Sequence, residues 1–213
     1  MADRLLKLWL DGPAGKLEAR LRPHAEPRAA AVVAHPHPLY GGNLDNPPVF
    51  HSDRELHRAG FATLRLNFRG VGSSEGVFDD GRGEVEDLAV ATRWLRALAP
   101  AAPWLLVGYS FGSICALRLA RAEPSCAGVV AMGLPLSVYG AGELGASEAP
   151  LAVVQGESDE FGLPGEIDKA LASIRAPHRL WTVAGANHIF AERARETAAA
   201  VVEAARWCLG ARS

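Results

Sequence analysis

Leu105-Leu106-Val107-Gly108-Tyr109-Ser110-Phe111-Gly112-Ser113 decides how the rest of the chain is read. Its apolar first half is of strand type and stops at Gly108. Ile114-Cys115-Ala116-Leu117-Arg118-Leu119-Ala120 then continues as a helix-compatible run. Between the two stands G-x-S-x-G, in the strand–turn–helix setting that projects such a serine away from the sheet edge. Glycines flank it because side chains at those positions would strike the neighbouring strand and helix. The helix that opens there directs unpaired N–H groups and a partial positive charge at the hydroxyl. Ser110 is therefore the candidate nucleophile. A serine hydroxyl is weak at neutral pH, so a base and a group that orients the base are to be sought elsewhere.

The bulk composition narrows the setting. The chain has 213 residues, 49% hydrophobic and 22% charged, with a net charge of -2. That is the composition of one ordinary globular domain, 1–213, burying about 70% of its unfolded surface. The charge balance carries no electrostatic footprint for nucleic acid or an anionic membrane. Cys115, Cys126 and Cys208 have no paired spacing, which suits neither a disulfide framework nor a zinc cluster and fits a reducing compartment. Charges break every apolar run near the N-terminus, so neither a signal peptide nor a membrane span is expected and the cytoplasm is the expected location.

Outward from the central stretch, strands and helices alternate. Leu5–Leu10 and Leu17–Arg22 read as strands of antiparallel type around the turn Asp11-Gly12-Pro13. Ala29–Ala34 is apolar throughout, as a strand covered on both faces is. Then follow a helix near Val49–Arg58, a strand over Phe61–Phe68, a Gly-rich loop from Arg69 to Gly83 and a helix over Glu84–Leu98. Beyond the central strand (Trp104–Val107) and its helix, strands are predicted over Ala127–Met132, Leu151–Gln155 and Leu180–Val183. Helices are predicted over Glu166–Ile174 and from about Ala191 to Cys208. Leading antiparallel strands followed by strand–helix units predict an α/β fold, with a mostly parallel sheet of about eight strands and helices on both faces. Gly133–Ala149 is too short for a helical lid, which predicts an open site and compact ligands.

In open α/β sheets the reacting groups lie beyond the carboxyl ends of strands. After Ser110 the first such end is Val153-Val154-Gln155-Gly156-Glu157-Ser158-Asp159-Glu160. Asp159 is the predicted orienting acid, with Glu157 and Glu160 as the other carboxylates of that loop. The second end runs Leu180-Trp181-Thr182-Val183-Ala184-Gly185-Ala186-Asn187-His188. His188 is the predicted base, because a histidine titrates near neutrality and can take a hydroxyl proton and return it. His178 starts the same strand and falls on the wrong edge. His24, His51 and His57 are expected at the surface.

Ala34-His35-Pro36-His37-Pro38-Leu39-Tyr40-Gly41-Gly42 stands at the carboxyl end of the first apolar strand. A backbone N–H from this loop is expected to assist that of Phe111 in binding an oxyanion. Prolines have no N–H to give, and Leu39 and Tyr40 are the best candidates in the rest of the loop. His35-x-His37 also has the spacing of two metal ligands on an extended chain. No further metal-spaced cluster accompanies it, so the histidines are read as shaping the pocket and no metal or cofactor is expected. Asn67-Phe-Arg-Gly-Val-Gly-Ser-Ser74 lacks the spacing of a dinucleotide or phosphate loop. It is read as a structural turn with a buried or paired Arg69.

These pieces together resemble the α/β-hydrolases, and most closely the small, lidless, dienelactone-hydrolase-like bacterial proteins. The resemblance rests on His35–Gly42, Asn67–Ser74, Gly108-Tyr-Ser-Phe-Gly112, Gly156-Glu-Ser-Asp159 and Gly185-Ala-Asn-His188, in that order. It implies an α/β-hydrolase fold without a substantial lid and a triad of Ser110, Asp159 and His188. Dienelactone hydrolases use cysteine where this chain has Ser110, so the resemblance implies a small-molecule carboxylic ester or thioester rather than a lactone. The alternatives are a serine peptidase on the same scaffold and a ligand-binding or sensor protein that kept the fold without turnover.

Overall fold

A computed structural model describes residues 5–145, 147–190 and 192–211. The elements are β1 (Leu6–Gly12), β2 (Gly15–Arg22), β3 (Ala29–Ala34), α1 (Pro47–Arg58), β4 (Phe61–Leu66), α2 (Gly83–Leu98), β5 (Trp104–Tyr109), α3 (Phe111–Ala122), β6 (Val129–Met132), a single-turn α4 (Leu136–Tyr139), β7 (Leu151–Gly156), α5 (Pro164–Leu171), β8 (His178–Val183) and α6 (Ala194–Gly210). The eight strands form one sheet in the order β1-β2-β4-β3-β5-β6-β7-β8. β1–β2 and β2–β4 pair antiparallel and every later pair is parallel. This is the α/β-hydrolase fold that the sequence led us to expect. Between β6 and β7 the described residues add only α4 and a 3-10 turn at Ala141–Glu143, so no lid covers the sheet.

The all-apolar strands are buried on both faces. Along β3, Ala30, Val32 and Ala34 join the core under α2, α3 and α5, whereas Ala29, Ala31 and Val33 join the core under α1 and α6. Two-sided burial explains why β3 and β5 show no polar alternation, while β1, on the sheet edge, does.

Several boundaries differ from the sequence expectation. β4 stops at Leu66 rather than Phe68: the Asn67 N–H still donates to the Glu18 carbonyl of β2 at 2.8 Å, but the Phe68 N–H turns away and donates to His35 Nε2 at 3.1 Å, while the Asn67 Oδ1 accepts the Leu44 N–H at 2.8 Å. β8 begins at His178, paired with Leu151 of β7. α5 is shifted toward Pro164, which supplies a preset φ for a first helical turn. α6 starts at Ala194, and the expected start at Ala191 lies outside the described residues. His24, His51 and His57 are half-buried rather than on the surface. Arg69 is paired as expected: its guanidinium and its N–H all bond the fully buried Asp87 of α2, at 2.8–3.2 Å.

One buried charge cluster fastens α1 to the sheet. Asp53, fully buried, accepts from Arg22 Nε at 2.8 Å and from the Thr63 hydroxyl at 2.5 Å, and lies 3.2 Å from Arg65 Nε. Arg65 also donates to the Leu44 carbonyl and to Asp45, both at 2.5 Å, which holds the loop ahead of α1. Removing one member leaves its partners charged and dry. Asp53→Ala is expected to lower the unfolding free energy by about 3–5 kcal/mol in urea titrations; a loss under about 1 kcal/mol contradicts a buried network of this kind.

Candidate active site

The site is built at the carboxyl ends of β3, β5, β7 and β8. β5 runs straight into α3 through Ser110, whose φ of 52° and ψ of -117° lie outside the range that a serine adopts without strain. Two glycines permit this turn. A Cβ on Gly108 would sit 2.2 Å from the Gly112 carbonyl oxygen, and one on Gly112 would sit 2.6 Å from that of His35. The turn is therefore pressed both against its own helix and against the loop after β3. Its strain is balanced by Ser110 N–H donating to the Met132 carbonyl at 2.8 Å and by the Ser113 hydroxyl donating to the Ser110 carbonyl at 2.6 Å.

Ser110 Oγ stands 2.9 Å from His188 Nε2, and His188 Nδ1 stands 2.9 and 3.0 Å from the two Asp159 oxygens. The carboxylate can only accept from Nδ1, so Nε2 is left free to accept the serine proton. Asp159 is fully buried and held from behind by the Phe161 N–H and by Gln155 Nε2, both at 2.9 Å. Glu157 and Glu160 are exposed, and Glu157 bonds the Gly185 N–H instead. His178 is exposed at the far end of β8.

Two supporting residues escaped the sequence reading. Gln155 is the one polar side chain of β7, wholly buried, and its amide ties Asp159 to Leu134 and to the Gly162 carbonyl. A glutamine at the end of an apolar strand was the available signal. Tyr109 donates its hydroxyl to the His188 carbonyl at 2.9 Å, and burial pushes its phenol well above the usual range. It grips the His188 loop from the strand that carries the nucleophile.

The loop after β3 departs from expectation. The Leu39 N–H donates to His37 Nδ1 at 3.2 Å and the Tyr40 N–H donates to the His37 carbonyl at 3.1 Å, within a 3-10 turn over Pro38–Tyr40. Both side chains point outward, 67% and 87% exposed. The two N–H groups named from the sequence are thus consumed by the turn itself. The His37 N–H has no hydrogen-bond partner among the described residues, and its ring stacks 4.9 Å from that of Phe111. His35 has no nitrogen to spare for a metal: Nδ1 meets the Pro36 carbonyl at 2.6 Å and Nε2 accepts the Phe68 N–H. Cys115 is fully buried, and burial raises its thiol well above the ordinary value.

A cavity of about 430 Å³ opens above Ser110, walled mainly by proline, tyrosine and phenylalanine side chains, with Asn46 and the two histidines as its polar points. That is the size and character of a small-molecule site.

Comparison with known proteins identifies the family and the fold. A family model described as an alpha/beta hydrolase domain matches residues 29–208. The chain belongs to the α/β-hydrolase family. An alpha-beta serine hydrolase homologue from Coxiella burnetii is 31% identical, covers 93% of this chain and 96% of its own, and superposes with a TM-score of 0.85. XC6422 from Xanthomonas campestris, an a/b serine hydrolase without lid, is 28% identical over 97% of this chain and 96% of its own, with a TM-score of 0.86. Dienelactone hydrolase from Anabaena variabilis shares the fold at 22% identity, 95% coverage of each chain and a TM-score of 0.78.

His35 gives the site a pH signature. Burial pushes its imidazole down to about 4, with its contact to the Pro36 carbonyl opposing the shift. An unfolded histidine binds its proton near pH 6.5, so between these values the unfolded state holds more protons and stability falls as pH falls. The loss from this residue approaches about 3 kcal/mol by pH 4. His35→Asn is expected to lack that part of the acid sensitivity, so the stability gap between wild type and variant narrows from pH 7 to pH 4 in urea titrations. A gap independent of pH contradicts the assignment.

Proposed function

We propose that this chain is a serine hydrolase that cleaves a carboxylic ester or thioester through an acyl-enzyme on Ser110. One observation carries the reading: the continuous hydrogen-bonded line from Ser110 Oγ through His188 to the buried Asp159. In this reading His188 Nε2 takes the Ser110 proton as Oγ attacks the carbonyl carbon, then passes it to the departing oxygen or sulfur. Water repeats the sequence in reverse order and releases the acid. Asp159 keeps Nδ1 protonated and stabilises the imidazolium that forms. The whole chain acts as one catalytic domain. Its three cysteines, all buried, suit a reducing compartment and support the cytoplasm as the place of reaction.

The Phe111 N–H, first in α3, serves the oxyanion together with a second donor. We assign that second donor to His37 in place of Leu39 or Tyr40, because its N–H alone among these three is not engaged in the turn. The residue has a φ of -55°, which proline tolerates. His37→Pro removes the N–H along with the ring, whereas His37→Ala removes only the ring. The proline variant is expected to lose a further 10²–10³-fold or about that in kcat relative to the alanine variant; equal rates for the two contradict the assignment.

A fluorophosphonate probe tests the nucleophile directly. Wild type is expected to be labelled and Ser110→Ala is not. Ser110→Ala and His188→Ala are each expected to cost about 10⁴-fold or more in ester turnover, with no further loss when combined. Labelling that persists in Ser110→Ala overturns the reading. A labelled wild type that cleaves none of a panel of esters, thioesters and peptides favours a sensor role instead.

A further inference from the structure

The described residues expose eleven large apolar side chains, and four of them, Tyr40, Val138, Phe161 and Ile189, line the Ser110 cavity, with Leu39 and Leu163 one and two residues along the chain from Tyr40 and Phe161. Such clustering is not the scatter of single apolar residues that any surface shows. The loops interlock. His37 packs against Tyr40 at 4.7 Å, the Ser137 N–H beside Val138 bonds the Phe161 carbonyl, and the Phe161 ring lies 4.6 Å from that of His188. They make an apolar collar in the place where a lid is missing. Among the described residues, neither lysine nor arginine lines the cavity.

We infer that the substrate is an uncharged ester whose apolar acyl chain runs out of the cavity and lies along this collar. The inference rests on the acyl-enzyme reading of Ser110 and deepens it by naming the substrate class. The cavity's 430 Å³ corresponds to about fourteen water-sized groups at about 30 Å³ each, shared between both sides of the scissile bond. A compact ester fills it and leaves the collar bare; a longer chain covers both. With no lysine or arginine among the described residues of the cavity wall, a carboxylate or phosphate brought into it loses water and gains no ion pair there. The open mouth therefore does not limit the protein to compact acyl groups, as the short Gly133–Ala149 segment suggested, because the collar supplies the apolar contact that a lid otherwise provides.

Three p-nitrophenyl esters, held below their aggregation limits and corrected for spontaneous hydrolysis, test this on the intact protein: the acetate, the octanoate and the hydrogen suberate, which is the octanoate chain ending in a carboxylate. A fully buried methylene is worth about fourfold and a half-covered one about twofold, so kcat/KM for octanoate is expected to exceed that for acetate by about tenfold or more. The hydrogen suberate is expected to fall about tenfold or more below the octanoate, because a carboxylate laid on apolar side chains gives up its water. In Val138→Ser/Ile189→Ser the octanoate-to-acetate ratio is expected to narrow about fivefold, whatever the change in the acetate rate. An octanoate no better than acetate, a suberate as good as octanoate, or an unchanged ratio in the double variant overturns the inference and leaves the acyl-enzyme reading standing. If wild type cleaves none of the three esters and forms no adduct with the fluorophosphonate, the acyl-enzyme reading fails and this inference fails with it.

Discussion

The close approach of β5, α3 and the loop after β3 is the constraint on which the site depends. Gly108 and Gly112 have backbone neighbours at distances that exclude any Cβ, so the strand, the helix and the loop meet almost in contact. That contact forces Ser110 into a strained conformation, opens α3 immediately beyond it and brings the His37 loop beside the first N–H groups of the helix. Strain of this kind costs on the order of 1–3 kcal/mol and persists only where the surroundings over-determine the backbone. Here the two-sided core does so: β5 is flanked by β3 and β6, and its strand and α3 are buried almost throughout.

Around that point, polar side chains set the positions of the other loops. Gln155 and the Phe161 N–H hold Asp159, Asp159 holds the His188 ring, and the Tyr109 hydroxyl holds the His188 backbone. On the opposite side, Asn67 and Phe68 hold the Leu44 and His35 segments, and Arg65 holds Leu44 and Asp45. Apart from the exposed Asp45, the side chains in these contacts are buried, where an unmade hydrogen bond is expensive. Loops without regular structure are thereby fixed to strands, which is how an arrangement spanning residues distant in sequence is held in one geometry.

The parts of this arrangement that were legible in the sequence are those governed by position along strands. Runs such as Ala29–Ala34 and Leu151–Gln155 identify buried parallel strands by their lack of polar alternation, and the strand-end rule then leads to Ser110, Asp159 and His188. The parts that were not legible depend on which way a group points. Residue type along the His37 loop points to Leu39 and Tyr40 as oxyanion donors, but the local turn takes up both N–H groups by bonding them to His37, a direction that residue type alone does not give. Gln155 and Tyr109 sit in strands that read as simply apolar, and only the folded sheet shows that their polar ends reach the loops of Asp159 and His188. Arg69 was legible as a paired residue, since a lone arginine in a tight Gly-rich turn needs a partner, although its partner Asp87 was not.

The account stands or falls on a covalent intermediate at Ser110, and acid-quenched intact mass spectrometry during turnover of p-nitrophenyl butyrate tests it most directly. The account predicts a population of protein heavier by one butyryl group, carried on the peptide that contains Ser110 and absent from Ser110→Ala. Turnover that proceeds at full rate with no such adduct, or an adduct mapped to another residue, contradicts it.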